Sequence, residues 1–258
     1  MPYNIQYYCT SHMGNVRRIN QDNFFCNGTI LQAPDDPLPF PLTGSVSAKD
    51  NRIFAIFDGM GGEECGEIAS LIAAKTVQNT KLDSDPVDTL SQFCQNANTA
   101  ICDYAKANGV GVMGTTAAML AFTETEIFLC NIGDTKILRF SDDELEQIST
   151  DHVAISIYGR KPPLLQNLGI PPSEMIIDPY LARGDYQSGD IFLICSDGLT
   201  DMVSNEEIQN ILANNALNEA GELLLNTALA NGGKDNVSII LCKIERSANQ
   251  SFGLIHHI

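Results

Sequence analysis

Basic residues are scarce in this chain. Lys and Arg number 15 against 32 Asp and Glu, a formal net charge of −17, and no stretch is both basic and rich in aromatics. That balance disfavours nucleic acid or an anionic membrane surface as a sequence-independent partner. Long apolar runs are missing too: none approaches the ~20 residues needed to cross a bilayer. The opening MPYNIQYYCTS lacks the positive start and apolar stretch of a secretory signal. The eight cysteines stand singly, with no CxxC and no Cys/His spacing suited to zinc, and several fall inside apolar runs as small core residues. These absences point to a reduced, cytoplasmic protein with no membrane or nucleic-acid partner; nothing in the sequence reads out an oligomeric state, and a monomer is taken as the default.

What is present is a substantial core and a set of aspartates at strand ends. A 258-residue chain that is 44% hydrophobic supports one large domain, and no linker divides it. In FAIFDGMGG (54–62) an apolar run reads as a buried strand delivering Asp58 to its end. The glycines after it allow a tight fold beside the carboxylate and present a carbonyl next to it. IFLICSDG (191–198) repeats the device with Asp197, and GGKDNVSIILC (232–242) reverses it with Asp235 ahead of the strand. Each aspartate alone reads most simply as a turn residue. Three of them converging at one sheet edge would form an oxygen cluster suited to a hard divalent cation.

In chain order, strands are expected at 5–12 and 24–26, the second closed by the turn pair Asn27-Gly28. Between them lies a polar segment, 14–22, whose Arg17 and Arg18 precede Asp22 closely enough for a guanidinium to grip an anion near a metal. A solvated loop is the alternative. Residues 33–50 hold four prolines and are expected to be a loop or insertion without helix. A helix is expected over 63–80, and a second from the Asp85-Pro86 pair through about Lys106. TTAAMLAF, EIFLCNIG and KILRF from 115 to 140 then form an antiparallel meander, followed by a short strand at 144–148. Asp134 reads as a turn residue, and 151–169 as a surface excursion. A strand at 191–195 precedes a helix at 205–214 opened by a Ser204/Glu207 capping box. A helix at 218–230 and a strand at 237–244 complete the domain, expected at 1–245, with 246–258 as a tail.

Six stretches taken together, GNVRRINQDN at 14, FAIFDGMGG at 54, MGTTAAML at 113, CNIGDTKILRF at 130, CSDGLTD at 195 and GGKDNVSIIL at 232, make the chain resemble the metal-dependent serine/threonine protein phosphatases (the PPM family), in particular their bacterial branch. The match covers the whole domain in the family's order. The resemblance implies an α+β fold, a four-layer α-β-β-α sandwich of two packed antiparallel sheets flanked by helices. It also implies hydrolysis of phosphoserine and phosphothreonine in phosphorylated proteins, substrates of a Ser/Thr kinase, with two Mn2+ or Mg2+ ions as cofactors. By the same resemblance Asp58 bridges two metals, with the Gly59 carbonyl a ligand of one; Asp197 and Asp235 are carboxylate ligands of the other. Asp22 orients the attacking water, and Arg17 holds the substrate phosphate.

The sequence departs from the family pattern in four places. Gln21 stands where a glutamate is usual, which implies weaker binding of the affected metal. Met60 stands where animal members often have a histidine, and a thioether cannot protonate a leaving group. Residues 108–113 offer no carboxylate, so a third metal is expected to be weakly bound or absent. The 151–169 excursion, where the family places a flap, is shorter than usual. A catalytically silent phosphoprotein-binding regulator is the competing reading, and such a member would be expected to have lost Asp58, Asp197 or Asp235.

Overall fold

The computed structural model describes residues 3–33, 38, 40–60, 65–82, 85–155 and 162–247. Twelve strands and five helices follow in the order β1 (Tyr3–His12), β2 (Asp22–Cys26), β3 (Leu42–Ser47), β4 (Arg52–Met60), α1 (Gly66–Gln78), α2 (Pro86–Asn108), β5 (Gly114–Thr115), β6 (Ala117–Phe122), β7 (Glu126–Ile132), β8 (Lys136–Ser141), β9 (Glu144–Gln147), β10 (Tyr180–Asp185), β11 (Ile191–Cys195), α3 (Asp197–Thr200), α4 (Asn205–Asn214), α5 (Leu217–Ala230) and β12 (Val237–Arg246). One sheet runs β3-β1-β12-β11-β8-β9 and the other β10-β7-β6-β4-β2, with β5 paired to the end of β4. All pairings are antiparallel.

Central strands are apolar on both faces because both faces are covered. Along β4, Ile53, Ala55 and Phe57 face α1 and α2, while Phe54 and Ile56 face the other sheet. Along β12 the same alternation sends Val237, Ile239 and Leu241 toward α3, α4 and α5 and Ile240, Cys242 and Ile244 into the gap between the sheets. The period-2 geometry of a strand thus turns a continuous apolar run into two cores, and three cores in series make the expected four layers.

The helices begin where local chemistry dictates. Asp85 accepts from the backbone N–H of Val87 at 3.1 Å and of Asp88 at 3.2 Å, ahead of Pro86. Ser204 and Glu207 form the reciprocal capping box. Helix α2 runs two residues past Lys106 to Asn108 and stops at Gly109 in the left-handed region. Asn27 and Gly28 both have positive φ, closing a tight hairpin after β2.

One expectation needs correction. Residues 33–50 contain β3 and a 3-10 turn at Ala48–Asp50. Strand β3 is an edge strand pairing with β1, and Thr43, Gly44 and Ser45 lie in the open, so no apolar alternation marks it. Asp134 lies in the β7–β8 turn, as expected, and is buried there. In the 151–169 excursion, Val153 bridges to Leu164 and Leu168 to Thr115, and Leu168 is fully buried. Gly61, Gly62, 156–161 and 248–258, which include parts of the glycine turn, excursion and tail readings, lie outside the described residues.

Candidate active site

The expected site residues come from strand ends and loops of both sheets. Asp22 opens β2 and stands directly across from Asp58 near the end of β4. Asp197 follows β11 at the start of α3 and is buried. Asp235 precedes β12, and Arg17 reaches it from the β1–β2 loop, with Nη2 donating to Oδ2 at 2.6 Å. The Arg17 guanidinium is held more firmly protonated than usual, first by that hydrogen bond to Asp235 and also by the charges of Asp58 and Asp22. Asp22, Asp58, Asp235 and Arg17 therefore share one electrostatic neighbourhood. Asp197 adjoins it through Ser196, whose hydroxyl donates to Asp22 Oδ2 at 2.8 Å.

Backbone hydrogen bonds fix this edge. The Asp58 N–H donates to Thr116 Oγ1 at 3.0 Å, and the Asp58 carbonyl accepts from Thr116 N at 2.9 Å and from Thr115 Oγ1 at 3.0 Å. Thr116 Oγ1 lies 2.5 Å from Thr135 Oγ1. Asn236 laces the 13–21 loop to the Asp235 turn: its Oδ1 accepts from Gln21 N at 2.8 Å, and its Nδ2 donates to the carbonyls of Met13 at 2.8 Å and Ile19 at 3.0 Å. Gly59 is required by close approach, since a Cβ there would collide with the carbonyls of Gly66 and Gln21. That contact seats the start of α1 against the end of β4.

Asp22 is almost wholly buried, and burial pushes its carboxyl up to about 6, opposed by the hydroxyls of Ser238 and Ser196. Gln21 donates from Nε2 to Glu67 Oε2 at 3.3 Å, while its carbonyl accepts from Ser70 Oγ at 2.6 Å. Sequence reasoning did not assign roles to Thr115, Thr116, Ser196, Ser238, Asn236 or Glu67. The available signal was polar residues interrupting apolar strand sequence, as Ser238 does inside VSIIL.

The donor chemistry fits divalent cations of the hard kind. The acidic groups here are all carboxylates, with backbone carbonyls beside them and no thiol or imidazole among the expected site residues. Among the described residues, no three acidic, histidine or cysteine side chains form a group able to hold a cation by themselves.

A model of the protein phosphatase 2C family matches residues 42–241. The chain belongs to the protein phosphatase 2C family. With that membership the serine/threonine phosphatase reading stands over the silent one. The serine/threonine phosphatase stp of Listeria innocua is 28% identical over 260 residues, covering 92% of this chain and 94% of the relative. The crystal structure of the Mycobacterium tuberculosis serine/threonine phosphatase PstP/Ppp superposes with a TM-score of 0.79 at 26% identity, covering 94% of this chain and 100% of that one. A structure of the PstP catalytic domain in complex with two manganese ions gives a TM-score of 0.76 at 26% identity, covering 95% and 100%. The two-sheet, α+β architecture of this phosphatase is that of these neighbours, and no described helix is long and apolar enough to cross a membrane.

Proposed function

We propose that this phosphatase removes phosphate from phosphoserine and phosphothreonine in proteins with Asp58, the Gly59 carbonyl, Asp197 and Asp235 holding a pair of manganese or magnesium ions. What supports the reading is that Asp22 stands across from Asp58 in the β2–β4 pairing, that Ser196, next to Asp197, bonds to Asp22, and that Arg17 bonds to Asp235. Two such cations, when bound, would lower the pKa of coordinated water and neutralise charge on the phosphoryl oxygens.

The chain's own groups supply the remaining functions. Arg17, on a loop and half exposed, leaves Asp235 for the substrate phosphate, which its planar guanidinium can engage with two parallel hydrogen bonds. Asp22, fixed in the wall between the sheets, accepts a hydrogen bond from the attacking water and aligns it. Met60 closes β4 without a transferable proton, so the leaving serine or threonine oxygen takes its proton from solvent. No side-chain nucleophile is needed.

The partners on this reading are phosphorylated proteins, the products of a Ser/Thr kinase in the same cytoplasm, met by a monomeric catalytic domain spanning 1–245. The test is manganese-dependent hydrolysis of a phosphothreonine peptide and of p-nitrophenyl phosphate. Both activities are expected in the wild type and neither in Asp58→Asn. A folded wild type that binds the phosphopeptide without turnover would establish the silent reading instead.

A further inference from the structure

Among the described residues, the carboxylate of Asp22 is held through one oxygen, Oδ2. Ser196 Oγ donates to Oδ2 at 2.8 Å and Ser238 Oγ donates to the same Oδ2 at 2.7 Å. An ionised carboxylate is purely an acceptor, so each hydroxyl gives Asp22 its single proton, which for Ser196 the carbonyl of Asn236, at 3.4 Å, shares only weakly. Their lone pairs are then free to accept, and both are used. Ser196 Oγ accepts from the backbone N–H of Ser238 at 3.0 Å. Ser238 Oγ lies 2.8 Å from Ser11 Oγ, which in turn accepts from Asn20 Nδ2 at 2.9 Å. Asn20 closes the circuit, because its Oδ1 accepts from the Asp22 N–H at 3.2 Å. Ser196 and Ser238 are both fully buried; Ser238 lies in β12 and Ser196 directly follows β11, both in one sheet's layer, whereas Asp22 belongs to the β2–β4 sheet. A polar clasp thus crosses the gap between the sheets, with Asp58 across from Asp22 and Asp197 next to Ser196.

We propose that Ser196 and Ser238 are positioning residues for phosphate hydrolysis: by saturating Oδ2 of Asp22 they fix its rotamer and reserve Oδ1 for the attacking water. The inference rests on the role of Asp22 given above and deepens it. Deleting either hydroxyl frees the carboxylate to rotate or to present the wrong oxygen, which lowers the fraction of correctly aligned water while leaving the cation ligands and Arg17 intact. The loss falls on kcat, with little change in KM.

The experiment measures kcat, KM and manganese half-saturation with p-nitrophenyl phosphate for Ser196→Ala, Ser238→Ala, their Cys counterparts and each combined with Asp22→Asn. Cysteine keeps the size and so the fold, but its thiol is a poor donor. Each single substitution is expected to lower kcat about tenfold, with KM and manganese half-saturation within twofold of wild type. In the Asp22→Asn background the same substitutions should cost no more than a further twofold, since they act through that carboxylate. An active wild type whose kcat survives the Cys substitutions, or losses that multiply with Asp22→Asn, would overturn the positioning role alone. A wild type without metal-dependent turnover would overturn the proposed mechanism, and this role with it.

Discussion

Arg17 and Asp235 are joined through Nη2 and Oδ2 at 2.6 Å, with the two side chains 51% and 33% exposed. A group suited to phosphate therefore rests on a carboxylate suited to a metal. Exposure keeps the pair weak, no more than about 1 kcal/mol, so either natural ligand can part it. Arg17→Ala should raise KM for p-nitrophenyl phosphate by about tenfold and lower the manganese needed for half-maximal activity, by no more than about fivefold. Steady-state kinetics across a manganese titration checks both, and an unchanged KM would remove Arg17 from phosphate binding.

Gln21 and Glu67 form a second informative pair. The Gln21 amide donates to Glu67 at 3.3 Å, so a glutamate at 21 would set two carboxylates against each other at the start of α1. Gln21→Glu is expected to destabilise the metal-free protein by about 1 kcal/mol while strengthening manganese binding through the added charge. Thermal denaturation with chelator and with manganese separates these effects: the deficit should appear in chelator and shrink or reverse with metal. Equal apparent manganese affinities for the two proteins would contradict the account of Gln21.

Burial of Asp22 makes the metal-free protein sensitive to pH. Its folded carboxyl is pushed up to about 6, above the ordinary carboxylate value of about 3.9. Between those values the folded state binds more protons than the unfolded one, so stability is fully present at the acidic end and is lost as pH rises toward 6. Chelator-treated wild type should lose on the order of 3 kcal/mol from this group between pH 4 and 7. Asp22→Asn should flatten that slope in urea denaturation measured across the range, and an equal slope in both proteins would contradict it.

The parts of the fold written in the sequence are those set by local chemistry or by burial on two faces. The Asp85-Pro86 start, the Ser204/Glu207 box and the Asn27-Gly28 turn depend on residues within a few positions of each other, and the structure forms all three. Strand β4 is apolar from Ile53 to Phe57 because helices cover one face and a sheet the other. Strands β3 and β10 are edge strands, with side chains partly or wholly exposed. Their hydrogen bonds come from β1 and β7, a long-range pairing that leaves little periodicity behind. The candidate site divides similarly. Asp58, Asp197 and Asp235 announce themselves as carboxylates at the ends of apolar runs. Ser196 and Ser238 do not, because their importance arises only when two sheets meet over Asp22.

These carboxylates are proposed to hold two cations jointly, and direct counting of bound manganese tests this most closely. Equilibrium dialysis of the purified chain should give two manganese ions per chain at saturation, with no third high-affinity ion because 108–113 lacks a carboxylate. Asp58→Asn should lose tight binding at both sites along with hydrolysis. Two tightly bound manganese ions in a folded Asp58→Asn that still hydrolyses p-nitrophenyl phosphate would contradict the account.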